Sequence, residues 1–596
     1  METSASKERG NQILFGSYAR PHILLWGLGI LVWYGVLHPG YIALDTPWLV
    51  CNNPILSTGS YNHIWAIFTD LSLGTRQTLG AEYLPFRDLS VLLDFMIFGS
   101  NLIGHHLHSL FLYFASCSLL LSISIEIFGR KNKVWLLVFL YMVLPIHVES
   151  VAWLASRKDI LALFFGLLSI WCYLRTTRPM LWATVFCVCA YWSKNTAIVI
   201  PVILVFVSVL YRNGNPKNPQ WWLQWLPLGV IQLLMLILTM AVGADMKMFS
   251  EPRAADALSV LSITAQVWLH YLNSVVFPLS LSAYYVEPQA GWNLQAILGL
   301  MLMLLTLSAP FWRRIPAVAM GFAWIFFGLL PVSQLIPIQN LVADRYLLFP
   351  SIAVIFLGHA VLKNRRGTIV LMVWISISAY QTWLRTPVFH DSISFWQDLT
   401  IKQPTLVRGW ASLAGQYTER GHYDTAESIL REGQQKVAST KEKAQIHQGL
   451  GLIAYKRGEL DTAEIMLQLA IHEDDSLYKA SNNLMKVYQR QGKHEQAYTL
   501  GKQLCRDFPL YDVGCNTLGV LELERKNFSA ARVAFQQALA VDPYNVSALA
   551  NMGNVAFLEK DYDQAQQWWE RVLQLDPELQ HAQAGLNEIK RLRNQP

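Results

Sequence analysis

A succession of long apolar runs fills the chain up to about residue 384, and that feature constrains the fold more than any other. A helix needs roughly 20 apolar residues to cross the hydrocarbon layer of a membrane. Inside that layer every backbone N–H and C=O must be bonded within the protein, which leaves helices as the natural solution. Runs at or near that length lie at 22–38, 105–127, 134–146, 159–174, 180–194, 196–211, 222–242, 292–311, 317–337, 344–362 and 368–384. With 53% hydrophobic and 15% charged residues, the chain is too apolar to be soluble throughout. The runs predict an all-α polytopic unit with about eleven crossings. His22–Leu37 has no small-residue cleavage site and further runs follow, so it reads as the first span.

Basic residues orient this unit. Arg130-Lys131-Asn132-Lys133, Arg175 with Arg178, Arg212 with Lys217, Arg313-Arg314, and Lys363 with Arg365 and Arg366 fall on one side if 257–281 is re-entrant or interfacial. Positive loops face the cytoplasm, so the opposite face carries Tyr41–Pro85, His147–Asp159, Lys194 and Asp344-Arg345-Tyr346. Arg157 and Lys158 break the pattern there. Charges beside apolar spans are costly and mark function, so the outer face is where chemistry is expected.

Beyond residue 404 the character changes to a helical repeat. Gly458, Gly492, Lys526 and Lys560 recur every 34 residues, as do Ala463, Ala497, Ala531 and Ala565. Val541-Asp542-Pro543 and Leu575-Asp576-Pro577 close successive copies, and Trp410–Leu430, with Gly421 and Ala426, forms an earlier one. This is the tetratricopeptide period. About five repeats suffice for a self-supporting α-solenoid, since at least ~3 are required. Such arrays have no chemistry of their own and bind other proteins on their concave face, or serve as spacers. The expected organisation is therefore a membrane unit over 1–384, a linker over 385–404 and a repeat domain over 405–596.

Seven cysteines are too few and too scattered for a disulfide framework. Four of them, Cys117, Cys172, Cys187 and Cys189, lie in apolar runs as small hydrophobes. Pairing of Cys505 with Cys515 is the alternative to reading both as free thiols, the expectation adopted here. The net charge of +6 is modest and calls for no nucleic-acid partner. Neither a phosphate-cradling glycine motif nor a zinc-protease pair of histidines at helical spacing occurs.

Several groups on the outer face invite a functional reading. Asp45, in Ala43-Leu44-Asp45-Thr46-Pro47, suits a general base over a membrane-embedded donor, although a solvated loop or a helix cap would also use an aspartate. His147 and Glu149 make an acid/base couple, or part of a metal site that would need further ligands. The bland alternative is a hydrogen-bond network between helices. Arg157, Asp159, Lys194, Asp344, Arg345 and Tyr346 follow in the same compartment. The cations suit a phosphate, for which the arginine fork is well shaped; anchoring at the headgroup level is the other use. Glu82–Arg87 precedes an apolar piece too short to span, the mark of an interfacial helix, with Arg87 a further phosphate contact.

Taken in order, Leu44-Asp45-Thr46 with Cys51-Asn52-Asn53-Pro54, Tyr83–Arg87 with Phe98-Gly99 and His106, and His147–Asp159 form a recognisable series. It continues through Lys194 and Pro201, Phe277-Pro278-Leu279 with Leu281-Ser282, and Asp344-Arg345-Tyr346 with Pro350. The series resembles the transmembrane and tetratricopeptide-repeat O-mannosyltransferase family, of the GT-C glycosyltransferase architecture. Two departures stand out. The family's first loop carries two adjacent acidic residues where this chain has Asp45-Thr46, and its Lys-Glu pair is Lys194-Asn195 here.

The resemblance implies transfer of a mannose-like sugar from a polyprenyl-phosphate donor to protein hydroxyls. Asp45, His147 and Glu149 would be catalytic, while Arg87, Arg157, Asp159, Lys194, Asp344, Arg345 and Tyr346 would bind the donor phosphate and sugar. The repeats would bind the acceptor protein, and a divalent cation is a possible cofactor. Alternatives are a transferase modifying a surface glycan or lipid, and a non-enzymatic membrane-anchored repeat scaffold. Compact loops favour a bacterial inner membrane with periplasmic repeats over an endoplasmic reticulum membrane with lumenal ones.

Overall fold

The computed structural model describes residues 20–38, 40–42, 44–129, 132–245, 256–334, 338, 340–362, 364–576 and 578–593. Arg130, Lys131, Lys363, Ala43 and Pro577 lie outside the described residues. Among those described, every regular element is a helix, as the apolar runs and the 34-residue period require. The chain forms two compact units, Met1–Leu71 with Leu79–Asp398, and Ser72–Thr78 with Leu399–Pro596.

In the first unit a helix occupies each predicted run. Among the described residues three helices are long and apolar enough to cross a membrane: Leu102–Phe128, Leu226–Ala244 and Arg365–Phe389. A fourth crossing results if Lys133–Met142 and Pro145–Ala152, bent by 42° at their junction, count as one. Pro179–Ser193, Asn195–Tyr211, Leu294–Leu307, Pro316–Val332 and Pro350–Val361 are apolar but shorter. The segment read as re-entrant is mostly one helix, Ala257–Val276, interrupted by polar Gln266, His270 and Asn273.

Four helices frame the polar region of this unit. Helix α1 (Pro85–Phe98) starts on a proline, whose missing N–H is no loss in a first turn. It buries Arg87, Asp88 and Asp94 and exposes Leu93, Met96 and Ile97. Charge inward and hydrocarbon outward is the pattern of a helix facing lipid. Helix α2 (Leu102–Phe128) is capped by Asn101, whose side chain accepts from the Ile103 N–H. Helices α3 (Arg157–Arg175) and α4 (Pro179–Ser193) follow as an antiparallel pair. The polar residues cluster where helices break. Pro145–His147, Leu154–Ser156, Asn195–Val199, Asp344–Leu347 and Pro350–Ile352 are all short 3-10 turns between longer helices.

Besides the short helix Leu73–Thr78, the described residues of the second unit form a solenoid of five antiparallel helix pairs and one closing helix. The pairs are Val407–Glu419 with Tyr423–Lys436, Thr440–Arg457 with Leu460–Glu473, Tyr478–Arg490 with His494–Asp507, Asp512–Glu524 with Phe528–Val541, and Val546–Leu558 with Tyr562–Leu575. Gln580–Arg593 closes the array. The period has a direct physical cause. Gly421, Gly458, Gly492, Lys526 and Lys560 end the first helix of each pair with φ between 59° and 85°. That left-handed position reverses the chain and is cheap only for glycine. Ala426, Ala463, Ala497, Ala531 and Ala565 are fully buried where the second helix meets the first, so a larger side chain would push the two apart.

One expectation is corrected. Cys505 and Cys515 form a disulfide, with Cα atoms 4.9 Å apart, rather than standing as free thiols. The turn between the third and fourth pairs sets the last turn of one helix against the first turn of the next. A spacing of ten residues that looks arbitrary in sequence thereby becomes a contact. Asn527-Phe528-Ser529 and Asn545-Val546-Ser547 match the N-glycosylation pattern, but each asparagine has a structural use here. Both asparagines cap helices, and Asn545 Nδ2 donates to Asp512 at 2.6 Å.

A polar pocket in the apolar unit

The breaks between helices leave chain ends whose backbone groups lack helical partners, and charged side chains gather there. Arg345 lies in the turn Asp344–Leu347, and Glu149 in the short helix Val148–Ala152. Glu149 accepts the Arg345 backbone N–H at 3.0 Å through Oε2, and its Oε1 pairs with the guanidinium. The carboxylate thus binds main chain and side chain of one residue. Arg345 also lies over the rings of Trp153, at 5.5 Å, and Tyr346, at 5.2 Å.

Lys194, which ends α4, pairs with Asp159 in the first turn of α3 and lies 5.5 Å from the Tyr346 ring. Asp159, Lys194, Thr196, Arg345, Tyr346 and Phe349 line one small pocket. Asp159 Oδ2 is buried there without a hydrogen-bond partner among the described residues. On the far side of the segment 344–350 lies a larger cavity, of about 160 Å³, walled by Trp268, Leu302, Leu347, Val354, Leu357 and other apolar side chains. Leu347 and Pro350 face that cavity, whereas Arg345, Tyr346 and Phe349 face the polar pocket.

Two further predicted residues approach this set through intermediaries. Glu82 bridges Arg87, at 3.2 Å, and Lys158, at 2.5 Å. Burial pushes the Glu82 carboxyl up, but Lys158 and then Arg87 outweigh it and hold it below the usual range. Asp45 is exposed, and its carboxylate has no hydrogen bond or ion pair among the described residues. Its neighbour Thr46 is buried and accepts from Trp153 Nε1 at 3.1 Å. The loop bearing Asp45 is therefore fastened to the ring over which Arg345 lies.

Three predicted residues point elsewhere. His147 is fully buried, with Tyr113 Oη at 2.8 Å from Nδ1 and Ser351 Oγ at 2.9 Å from Nε2. Both ring nitrogens are engaged, which suits a pin between helices. Asp344 pairs with Arg385 at 2.6 Å and accepts from Tyr285 Oη at 2.7 Å. Arg157 turns away from the pocket to Asp94, and donates to Ser109 Oγ and the His105 carbonyl at 2.9 and 2.8 Å. Glu82, Lys158, Trp153 and Arg385 complete the network without having been singled out as site residues. Lys158 carried a signal in its placement against the orientation rule; Glu82 carried none beyond adjacency to the predicted interfacial helix.

Among the described residues no group of three or more His, Cys, Asp or Glu side chains is arranged to hold a metal ion. Glu82, Glu149, Asp159 and Asp344 each pair with a cation and Asp45 stands apart, so these residues are not arranged around the divalent cation that the resemblance allows. Buried ion pairs contribute little net stability, because desolvation offsets their attraction. Two of them, Glu149–Arg345 and Asp159–Lys194, meet around one pocket in an apolar unit.

Fold and site together define a class: a helical, membrane-type unit enclosing a charged pocket, joined to a tetratricopeptide solenoid. Comparison with known proteins agrees. Residues 522–589 match the tetratricopeptide repeat family model. The chain is similar to protein O-mannosyl-transferases of the transmembrane and tetratricopeptide-repeat family, in line with its ordered motifs. It is 29% identical to human protein O-mannosyl-transferase TMTC3 over 142 residues, 24% of this chain and 16% of that one. Against tmtc2 of Xenopus laevis it is 28% identical over 157 residues, 26% and 18% of the two chains. The matches thus span less than a fifth of the relatives' length. Among solved structures, the tetratricopeptide protein YrrB covers 32% of this chain and 97% of its own, at 11% identity and a TM-score of 0.25. TTC0263 of Thermus thermophilus covers 31% and 98%, at 16% identity and a TM-score of 0.27.

Proposed function

We propose that this protein is a GT-C-type glycosyltransferase that moves a mannose-like sugar from a polyprenyl-phosphate donor to protein hydroxyls. The observation that carries this reading is the strip 344–350, with a cationic pocket on one side and an apolar cavity on the other. A lipid-linked sugar phosphate has the same division: anionic oxygens and hydroxyls at one end, hydrocarbon at the other. The partnerless Asp159 Oδ2 suits a sugar hydroxyl as donor, while Lys194 and Arg345 suit the phosphate. The names of the relatives, protein O-mannosyl-transferases, support the sugar and the acceptor class.

In this reading Asp45 takes the proton from the acceptor hydroxyl, whose oxygen attacks the anomeric carbon. The bond from that carbon to the phosphate oxygen breaks, and polyprenyl phosphate departs with the electron pair. Lys194 and Arg345 stabilise the charge that develops on it. Glu149 sets the position of Arg345, and Arg87 acts through Glu82 and Lys158. The outer face of about eleven crossings carries these groups, and the repeats capture the acceptor in the same compartment, raising its local concentration. The Cys505–Cys515 disulfide supports an oxidising compartment, periplasm or lumen, for the repeats.

The test is transfer by the full chain in liposomes, supplied with polyprenyl-phosphate mannose and an unfolded polypeptide acceptor. Labelled mannose should appear on Ser or Thr, and deletion of residues 405–596 should reduce transfer to polypeptide most. Transfer from a nucleotide sugar alone, or none from the lipid donor, would overturn the reading.

A further inference from the structure

The first turn of α3 sends three consecutive side chains to three different places. Arg157 reaches back to α1 and α2, Lys158 reaches Glu82, and Asp159 reaches Lys194. Successive helical residues are rotated by 3.6 to the turn, so whatever fixes Arg157 also fixes the directions of the next two. Arg157 is held at every nitrogen. Its Nε donates to Ser109 Oγ at 2.9 Å, Nη2 to the His105 carbonyl at 2.8 Å and Nη1 to the Ser90 carbonyl at 3.4 Å, with Asp94 taking the charge. All three nitrogens of this guanidinium are thus engaged by α1 and α2.

Asp94 is the centre of this anchor. It is fully buried and lies on α1, facing Arg157 from α3 and two histidines from α2. His108 Nδ1 is 2.5 Å from its Oδ1, and His105 Nδ1 is 3.4 Å from its Oδ2. One carboxylate thus ties together the three helices that meet beside the pocket. Burying this carboxylate carries a solvation cost that its pairing about balances, so net stability alone does not account for it.

We propose that Asp94 is a positioning residue of the pocket: through Arg157 it sets the rotation of α3 that delivers Lys158 to Glu82 and Asp159 to Lys194. The role of that pocket rests on the function proposed above, but the positioning itself has a readout that needs no activity. Pairing with Glu82 and Asp159 should protect the amines of Lys158 and Lys194 from acylation. In the full chain in detergent, acetylation of each lysine is followed by mass spectrometry, with exposed Lys441 as the internal control.

Asp94→Asn keeps the shape and one acceptor but removes the charge, and should raise labelling of Lys158 and Lys194 roughly tenfold through local opening, with Lys441 unchanged. Ser109→Ala removes a single bond to Arg157 and should give a smaller rise at the same two lysines. A lowered melting temperature with both lysines still protected would reduce Asp94 to a structural residue and overturn the proposal, as would no change at all. Binding of polyprenyl phosphate supplies the second arm. If Asp94 acts through Asp159, the double variant Asp94→Asn with Asp159→Asn binds no more weakly than Asp159→Asn alone; additive losses contradict the proposal. Wild-type protein that binds no polyprenyl phosphate would count against the proposed function and leave the labelling result to decide this one.

Discussion

Replacing Glu149 by glutamine probes the join between fold and chemistry. The wild-type carboxylate receives two donors from Arg345, one from the backbone at 3.0 Å and one from the guanidinium. Glutamine offers one oxygen and turns an NH2 group toward the other donor. Breaking a buried pair by removing one partner costs about 3–5 kcal/mol, and hydrogen bonds to charged groups contribute about 1.5–3 kcal/mol. Arg345 keeps 13% of its side chain exposed, so the lower end applies, about 3 kcal/mol. If Arg345 must be held in place to meet the departing phosphate, kcat/KM for the lipid donor falls roughly 100-fold.

Loss of fold would give the same fall, and a paired variant separates the two causes. Arg345→Gln with Glu149→Gln removes both charges, which restores most of the stability because neither partner is left buried and unmet. Transfer stays low, since the cation itself is gone. The assay is initial-rate mannose transfer in liposomes beside thermal unfolding of the same preparations. Near-wild-type transfer by Glu149→Gln, or recovery of transfer in the neutral pair, would refute the reasoning.

Further outcomes follow from other sites. Asp45→Asn should abolish transfer and leave the melting temperature nearly unchanged, because that carboxylate makes no hydrogen bond or close ion pair among the described residues; retained activity would dismiss it as the base. Glu82 is held below its ordinary value of 4.5 by Lys158 and Arg87 against the effect of burial. A depressed carboxyl stabilises the fold above its unfolded value and loses that contribution as pH falls through its folded one. Melting temperature should therefore drop below about pH 4.5, and Glu82→Gln should flatten that acid limb; an unaltered limb would exclude the pairing. Lys526→Gly should raise the stability of the repeats by about 1 kcal/mol in denaturant melts, since lysine is strained at a φ of 59°. A destabilised variant would show that the lysine side chain matters more than its backbone.

The fold was far more legible than the pairings within it. Apolar runs and the 34-residue period are local signals, and Ala463 or Gly458 mean the same thing in every repeat. Lys526 and Lys560 show how the period survives a change of residue, because the helix pair needs the turn more than it needs glycine. The site obeys different rules. Glu149 and Arg345 are 196 residues apart, and nothing along the chain says which cation meets which acid. Arg157 and Lys194 look equivalent as isolated charges beside apolar runs, yet one is consumed by Asp94 and the other opens on the pocket. Cys505 and Cys515 illustrate the same point in the repeats, where only the geometry of the turn brings them together.

The strip 344–351 is fastened at several points along its length. Asp344 is tied to Arg385, Arg345 to Glu149, the Leu348 carbonyl to Tyr141 Oη at 2.8 Å, and Ser351 to His147. Mechanically it behaves as a riveted beam, stiff between its two cavities. In the proposed function, a bulky lipid would exchange past this partition without the partition swinging aside. If the donor binds as proposed, the beam keeps the register between its head and its tail.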